Sequence, residues 1–127
     1  ALADARFKKA GYTKFEAKIG SNNGFDGVYM KLDKKGKPRM IIINESKANK
    51  ARLGKAYVGN PKKVKQMSDA WISGNLNKML NSSNKEVQKT AQLIQAYLKE
   101  GNTVVKTLNR LKSDGTNVWK FLGNYTK

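Results

Sequence analysis

At 127 residues and 14.2 kDa, the chain has the size of one domain, residues 1–127, large enough to build a core without covalent staples. It contains neither cysteine nor histidine, which excludes disulfides, thiolate zinc sites and imidazole acid–base chemistry, so any catalysis falls to carboxylates, lysines and a metal. The 26 basic residues against 9 acidic ones give a formal charge of +17, the footprint of a polyanionic partner.

Nucleic acid is favoured over a membrane surface as that partner. No apolar stretch nears the roughly 20 residues of a membrane span, and no signal peptide is visible at Ala1. The basic residues are spread along the chain instead of lining one amphipathic helix.

Taken in order, Leu2 to Ala10 reads as a short helix with Ala3, Phe7 and Ala10 on one face, stopped by Gly11. Tyr12 to Ile19 reads as a strand with Tyr12, Lys14, Glu16 and Lys18 on one side and Phe15, Ala17 and Ile19 on the other. Residues 20–24 are a turn cluster, Phe25 to Leu32 a second strand, and Asp33 to Pro38 a hairpin turn. The third strand, Met40 to Lys47, begins with an isoleucine run suited to burial and ends on charges. Ala48 to Gly59 reads as a loop. Asn60-Pro61 is a cap-plus-proline signal for a helix running to about Leu80, with Val64, Met67, Trp71 and Met79 inward and Gly74 a potential break. Residues 81–84 cap a further helix, Lys85 to Glu100, whose apolar stripe is Val87, Ala91, Ile94, Tyr97 and Leu98. Two strands, Thr103 to Leu111 and Asn117 to Leu122, follow around a Ser-Asp-Gly-Thr turn. The order α-β-β-β-α-α-β-β makes this an α/β or α+β domain with a mixed central sheet flanked by helices.

The chemistry concentrates at the end of the third strand. Glu45 and Lys47 leave one face and Ser46 the other, and charges beside a core are costly unless something pairs them. Asp26, in Gly-Phe-Asp-Gly-Val-Tyr, lies one hairpin upstream, so its strand should bring it to Glu45. Two carboxylates with few basic neighbours repel, and a divalent ion relieves that. Mg²⁺ suits a site of oxygen donors without His or Cys.

Asp26 followed after a hairpin by Glu45-Ser46-Lys47 resembles the PD-(D/E)xK nuclease superfamily, over roughly the first two thirds of the chain. The resemblance implies a restriction-endonuclease-like core and a metal-dependent endonuclease. It implies Asp26 and Glu45 as metal ligands, the Ser46 carbonyl as a further ligand, and Lys47 as the group that orients or activates the attacking water. Ser46 stands where the family has a small apolar residue, and Phe25 where it has a proline. A further family acid would be Glu16 or Asp4, with Glu16 preferred. The small basic domain, with Gln66-Met67-Ser68-Asp69-Ala70-Trp71-Ile72 and Asn-Gly-Phe-Asp-Gly-Val-Tyr, also resembles C-terminal toxin domains of bacterial contact-dependent inhibition. That likeness implies delivery, as part of a larger protein, into the cytoplasm of a target bacterium. It also implies cleavage of DNA or tRNA there, and neutralisation by a cognate immunity protein. The start at Ala1 without methionine fits a piece of a longer polypeptide, as does an arbitrary boundary. The immunity protein is expected to be acidic and to cover the Glu45 face, since it must offset the charge.

Each of these residues has a plainer role beside the chemical one. Glu16 sits among lysines like a solvated strand face, and Asp4 suits a helix N-terminus. Gln66 either approaches the metal water or merely flanks the core residues Met67 and Trp71. Lys50, Arg52 and Lys55 follow the active strand and are candidate phosphate contacts, while Lys62, Lys63 and Lys65 look like a helix face that steers polyanions. The rival functions are a non-catalytic basic nucleic-acid-binding module and a metal-independent ribonuclease, the latter disfavoured by the absence of histidine.

Overall fold

Alternation along the strands resolves into two covered faces of a single mixed sheet. The computed structural model describes residues 2–19, 23–48, 55–57 and 63–126. A helix, α1 (Leu2–Lys9), precedes β1 (Thr13–Phe15), β2 (Lys18–Ile19), β3 (Asn23–Gly24), β4 (Gly27–Leu32) and β5 (Pro38–Ala48). After β6 (Lys55–Tyr57) and β7 (Lys63–Lys65) come helices α2 (Asp69–Leu80) and α3 (Lys85–Lys99), then β8 (Val104–Leu111) and β9 (Asn117–Tyr125). The main sheet runs β1-β4-β5-β8-β9, with β5 and β8 parallel and the other pairs antiparallel. The result is an α+β fold with a mixed five-stranded sheet and, among the described residues, three helices.

Period-two alternation distributes the apolar residues. Val28, Met30, Ile41, Ile43 and Val104 meet Trp71, Ile72, Leu76, Val87 and Ile94 of α2 and α3 in the main core. The intervening Tyr29 and Ile42 turn to the other face, where Ala3 and Phe7 of α1 cover them, with Trp119 alongside. Burial of a residue such as Ile43, fully inaccessible, contributes about 2 kcal/mol.

Several expected elements change. The first strand is two short ones, separated at Glu16 and Ala17: β1 pairs with β4, whereas β2 pairs with β3 in a separate hairpin. The hairpin is held close: Phe25 N donates to Ala17 O at 3.1 Å, and a Cβ on Gly24 would lie 2.1 Å from that oxygen. Gly24 also has φ +92°, so no other residue fits there without strain. Lys14 and Lys18 consequently part ways, Lys14 to Asp4 and Lys18 to Asp26. The expected loop after Lys47 contains β6, and β5 itself extends through Ala48.

The expected helix from Asn60-Pro61 begins only at Asp69. Residues 63–65 form a strand pairing with β6, and Ser68 is the N-cap, its Oγ accepting from Trp71 N at 3.3 Å. Two capping signals compete here, and electrostatics favours the second. A start at residue 60 would put Lys62, Lys63 and Lys65 at the positive end of the helix dipole, whereas the start at Ser68 places Asp69 there. Trp71 and Met79 are buried as expected, and Gly74 is buried within an unbroken helix. Met67, also buried, precedes the helix in a left-handed conformation, φ +68°. The last strand continues to Tyr125, which is buried and whose hydroxyl meets Ser73 Oγ at 2.6 Å.

Candidate active site

The antiparallel register of β4 and β5 ends at Gly27 opposite Asn44, so the next residues, Asp26 and Glu45, meet just beyond the ladder. Their carboxyl groups are hydrogen-bonded to each other. Two acids in such contact share a proton, and burial decides where it sits. Glu45 is only 3% exposed. Burial, then the hydrogen bond and charge of Asp26, push its carboxyl up to about 8, against smaller opposing effects of Lys47 and Lys18. Burial also acts upward on Asp26, but the hydrogen bond with Glu45, the Lys18 ammonium and the Ser46 amide outweigh it and hold that carboxyl below its usual value. Near neutral pH Glu45 therefore carries the proton and Asp26 the charge.

The surroundings are more basic than the sequence suggested. Lys18 Nζ lies 2.7 Å from Asp26 Oδ1, and Lys47 Nζ lies 3.7 Å from Glu45 Oε2. Ser46 N donates to Asp26 Oδ2 at 3.2 Å. A strand residue's N–H and C=O leave on the same edge, so the Ser46 carbonyl emerges on the Asp26 side, past the last β4 pair. The Ser46 side chain goes the other way. Its Oγ donates to Asn109 Oδ1 at 2.6 Å in a partly buried polar network centred on the buried Asn44 and Asn109, in which Asn44 Nδ2 also donates to Asn109 Oδ1 and Thr107 Oγ1 donates to Asn44 Oδ1. The expected division of Glu45 and Lys47 from Ser46 thus holds, and the network pins β5 to β8 where the charged pair begins. Parallel register sets Leu108 beside Glu45 and Arg110 beside Lys47.

Neither candidate for a further acid joins the pair. Asp4 lies on the α1 side of the sheet, bonded to the Tyr29 hydroxyl and to Lys14, because Tyr29 alternates away from Val28 and Asp26. Glu16 is exposed in the bend between β1 and β2, where its Oε1 accepts from Lys18 N at 3.2 Å. Among the described residues no three acidic side chains converge on one point. Asp26, Glu45 and the Ser46 carbonyl could hold a divalent ion such as Mg²⁺, being hard oxygen donors, with water or substrate oxygens completing the shell.

Gln66 sits half-buried in the turn between β7 and α2 instead of on a helix. That turn is anchored to the Glu45 face of the sheet by Lys106, a buried lysine whose Nζ donates to Met67 O and to Asp69 Oδ1, both at 3.1 Å. Ser68 is occupied as the α2 cap. Lys50 and Arg52 lie outside the described residues. Lys55 belongs to β6, opposite Lys65, and its side chain also falls outside what is described. Sequence reasoning missed Lys18 and Lys106. The signal for Lys18 was the glycine cluster in the sequence that ends at Gly24, with which Lys18 pairs two residues before Asp26; nothing local marks Lys106.

No family model, curated protein or solved structure matches this chain. Its chemistry therefore rests on the geometry of the site. Among the described residues no helix is long and apolar enough to cross a membrane.

Proposed function

We propose that this chain is a metal-dependent nuclease that hydrolyses phosphodiester bonds in DNA or tRNA. We further propose that it acts as an interbacterial toxin domain, delivered within a larger protein into a target cytoplasm and neutralised by an acidic immunity protein. The observation that carries the nuclease reading is the Asp26–Glu45 carboxyl pair, in hydrogen-bonded contact at the ends of two strands with an amine against each acid. A restriction-endonuclease-like arrangement of the core belongs to the same proposal, and the toxin role rests on the sequence resemblance.

In this reading Asp26, Glu45 and the Ser46 carbonyl would hold Mg²⁺ or a similar ion. When bound, such an ion lowers the pKa of water and neutralises charge developing on the phosphate. Glu45 would have to give up its proton to bind the ion, and its raised pKa, about 8, makes that step easier as pH rises toward that value. Lys47, 21% exposed and within 3.7 Å of Glu45 Oε2, holds its ammonium where an attacking water can donate to the pair and accept from the amine. Gln66 orients that water from the turn that Lys106 anchors. The surplus positive charge attracts the polyanion and speeds encounter.

The test is incubation of purified protein with plasmid DNA and with total tRNA, with Mg²⁺ or excess EDTA, followed by gels. Cleavage with Mg²⁺ that EDTA abolishes is expected; undiminished cleavage in EDTA removes the metal site. A second reading, a non-catalytic basic nucleic-acid-binding module, is favoured by one observation: Lys18, Ser46 N and Glu45 already satisfy Asp26 internally. It expects salt-sensitive binding and no cleavage with any divalent ion.

A further inference from the structure

Two lysines face the carboxyl pair, and they differ in how they are held. Lys47 is 3.7 Å from Glu45 Oε2, beyond hydrogen-bonding distance, and its side chain is 21% exposed. Lys18 makes a 2.7 Å hydrogen bond to Asp26 Oδ1 while its side chain stays 39% exposed. An ammonium has three donors, so Lys18 commits one to Asp26 and keeps the others for groups arriving from solvent. Its backbone is fixed as well, in register with Gly24 in a hairpin that Ala17 O and Gly24 pin to the start of the Asp26 segment. Lys106 cannot serve in the same way, being buried and committed to Met67 O and Asp69.

We propose that Lys18 is a second catalytic lysine of this site, binding a non-bridging oxygen of the scissile phosphate while Asp26 holds the amine in place. Lys47 then serves the water and Lys18 the phosphate, so the two amines have separate tasks. The proposal deepens the nuclease reading and rests on it for the word catalytic, but the contact with phosphate is measurable without cleavage.

The experiment compares Lys18→Gln with Lys34→Gln, which removes the same charge from the hairpin turn at the opposite end of β4 and β5. Both are made in a Glu45→Gln background, in which the amide still donates to Asp26. Binding of a fluorescein-labelled DNA duplex and of labelled total tRNA is measured across salt concentrations. Loss of one phosphate contact lowers the log–log salt slope by about 0.7 to 0.9, and this is expected for Lys18→Gln and not for Lys34→Gln. In the otherwise wild-type protein, Lys18→Gln should lower kcat/KM at least tenfold on whichever substrate is cleaved, with Lys18→Arg recovering part of it. Equal slopes for the two variants overturn the Lys18 assignment, as does full activity of Lys18→Gln where Asp26→Ala and Glu45→Ala are dead. If the wild type cleaves neither substrate, the nuclease reading fails, and the salt slopes still decide whether Lys18 touches phosphate.

Discussion

Replacing Glu45 by glutamine should make the protein more stable at alkaline pH and leave it nearly unchanged at pH 5. A carboxyl whose folded pKa is raised contributes stability that is fully present below its unfolded value and is lost as pH rises through the folded value. For Glu45 those limits are 4.5 and about 8. The gap, at about 1.4 kcal/mol per pKa unit, is worth about 5 kcal/mol in all, of which the wild type loses about 4 kcal/mol between pH 5 and 9. At about 3 °C per kcal/mol for a chain of this size, that is a fall in Tm of about 12 °C. Glutamine keeps a donor toward Asp26 and cannot ionise, so its Tm should stay level over the same range. Asp26 acts in the opposite sense: its lowered pKa gives stability present above 3.8 that is lost as pH falls through the folded value, in both proteins alike. The assay is thermal unfolding followed by circular dichroism at half-unit pH steps from 5 to 9 in EDTA. Superimposable Tm profiles for wild type and Glu45→Gln would refute the buried, proton-sharing pair. On the metal reading, 10 mM Mg²⁺ raises the wild-type Tm more at pH 8.5 than at pH 5, because the ion displaces the proton.

Asp26→Ala, Glu45→Ala and Lys47→Ala should each reduce cleavage at least a hundredfold while far-ultraviolet circular dichroism keeps its native shape; activity near wild type in any of them removes that residue from the chemistry. Gly24→Ala places a Cβ 2.1 Å from Ala17 O at φ +92° and should cost about 2 kcal/mol in urea unfolding, and an unchanged midpoint would mean that the hairpin is not held as described. Asn109→Ala strips Ser46 Oγ and Asn44 Nδ2 of a shared acceptor. About 1 to 3 kcal/mol should be lost, and the amide of Ser46 should exchange faster with deuterium; native exchange there would make the network dispensable.

What the chain decides locally and what it leaves to its tertiary structure separate cleanly at this site. Nearest-neighbour patterning sufficed for the isoleucine run of β5, for the division of Glu45 and Lys47 from Ser46, and for the hairpin that carries Asp26 back to Glu45, since strand period and turn length are short-range properties. Asn84 likewise marked the start of α3, where its Oδ1 accepts from Glu86 N and Val87 N. The start of α2 was ambiguous because two capping signals lie eight residues apart, and the choice between them depends on charge and on the pairing of residues 63–65 with β6. The parallel pairing of β5 with β8 brings Leu108, Asn109 and Arg110 beside residues more than 60 positions away, so no window along the chain contains it. Lys18 looked like one more solvated cation because alternation put it beside Lys14. Only the bend at Glu16 and Ala17, and the close approach at Gly24, turn it onto Asp26. The sequence could thus name the acids, but the proton they share and the second amine beside them arise from burial and contact, which exist only once the chain has folded.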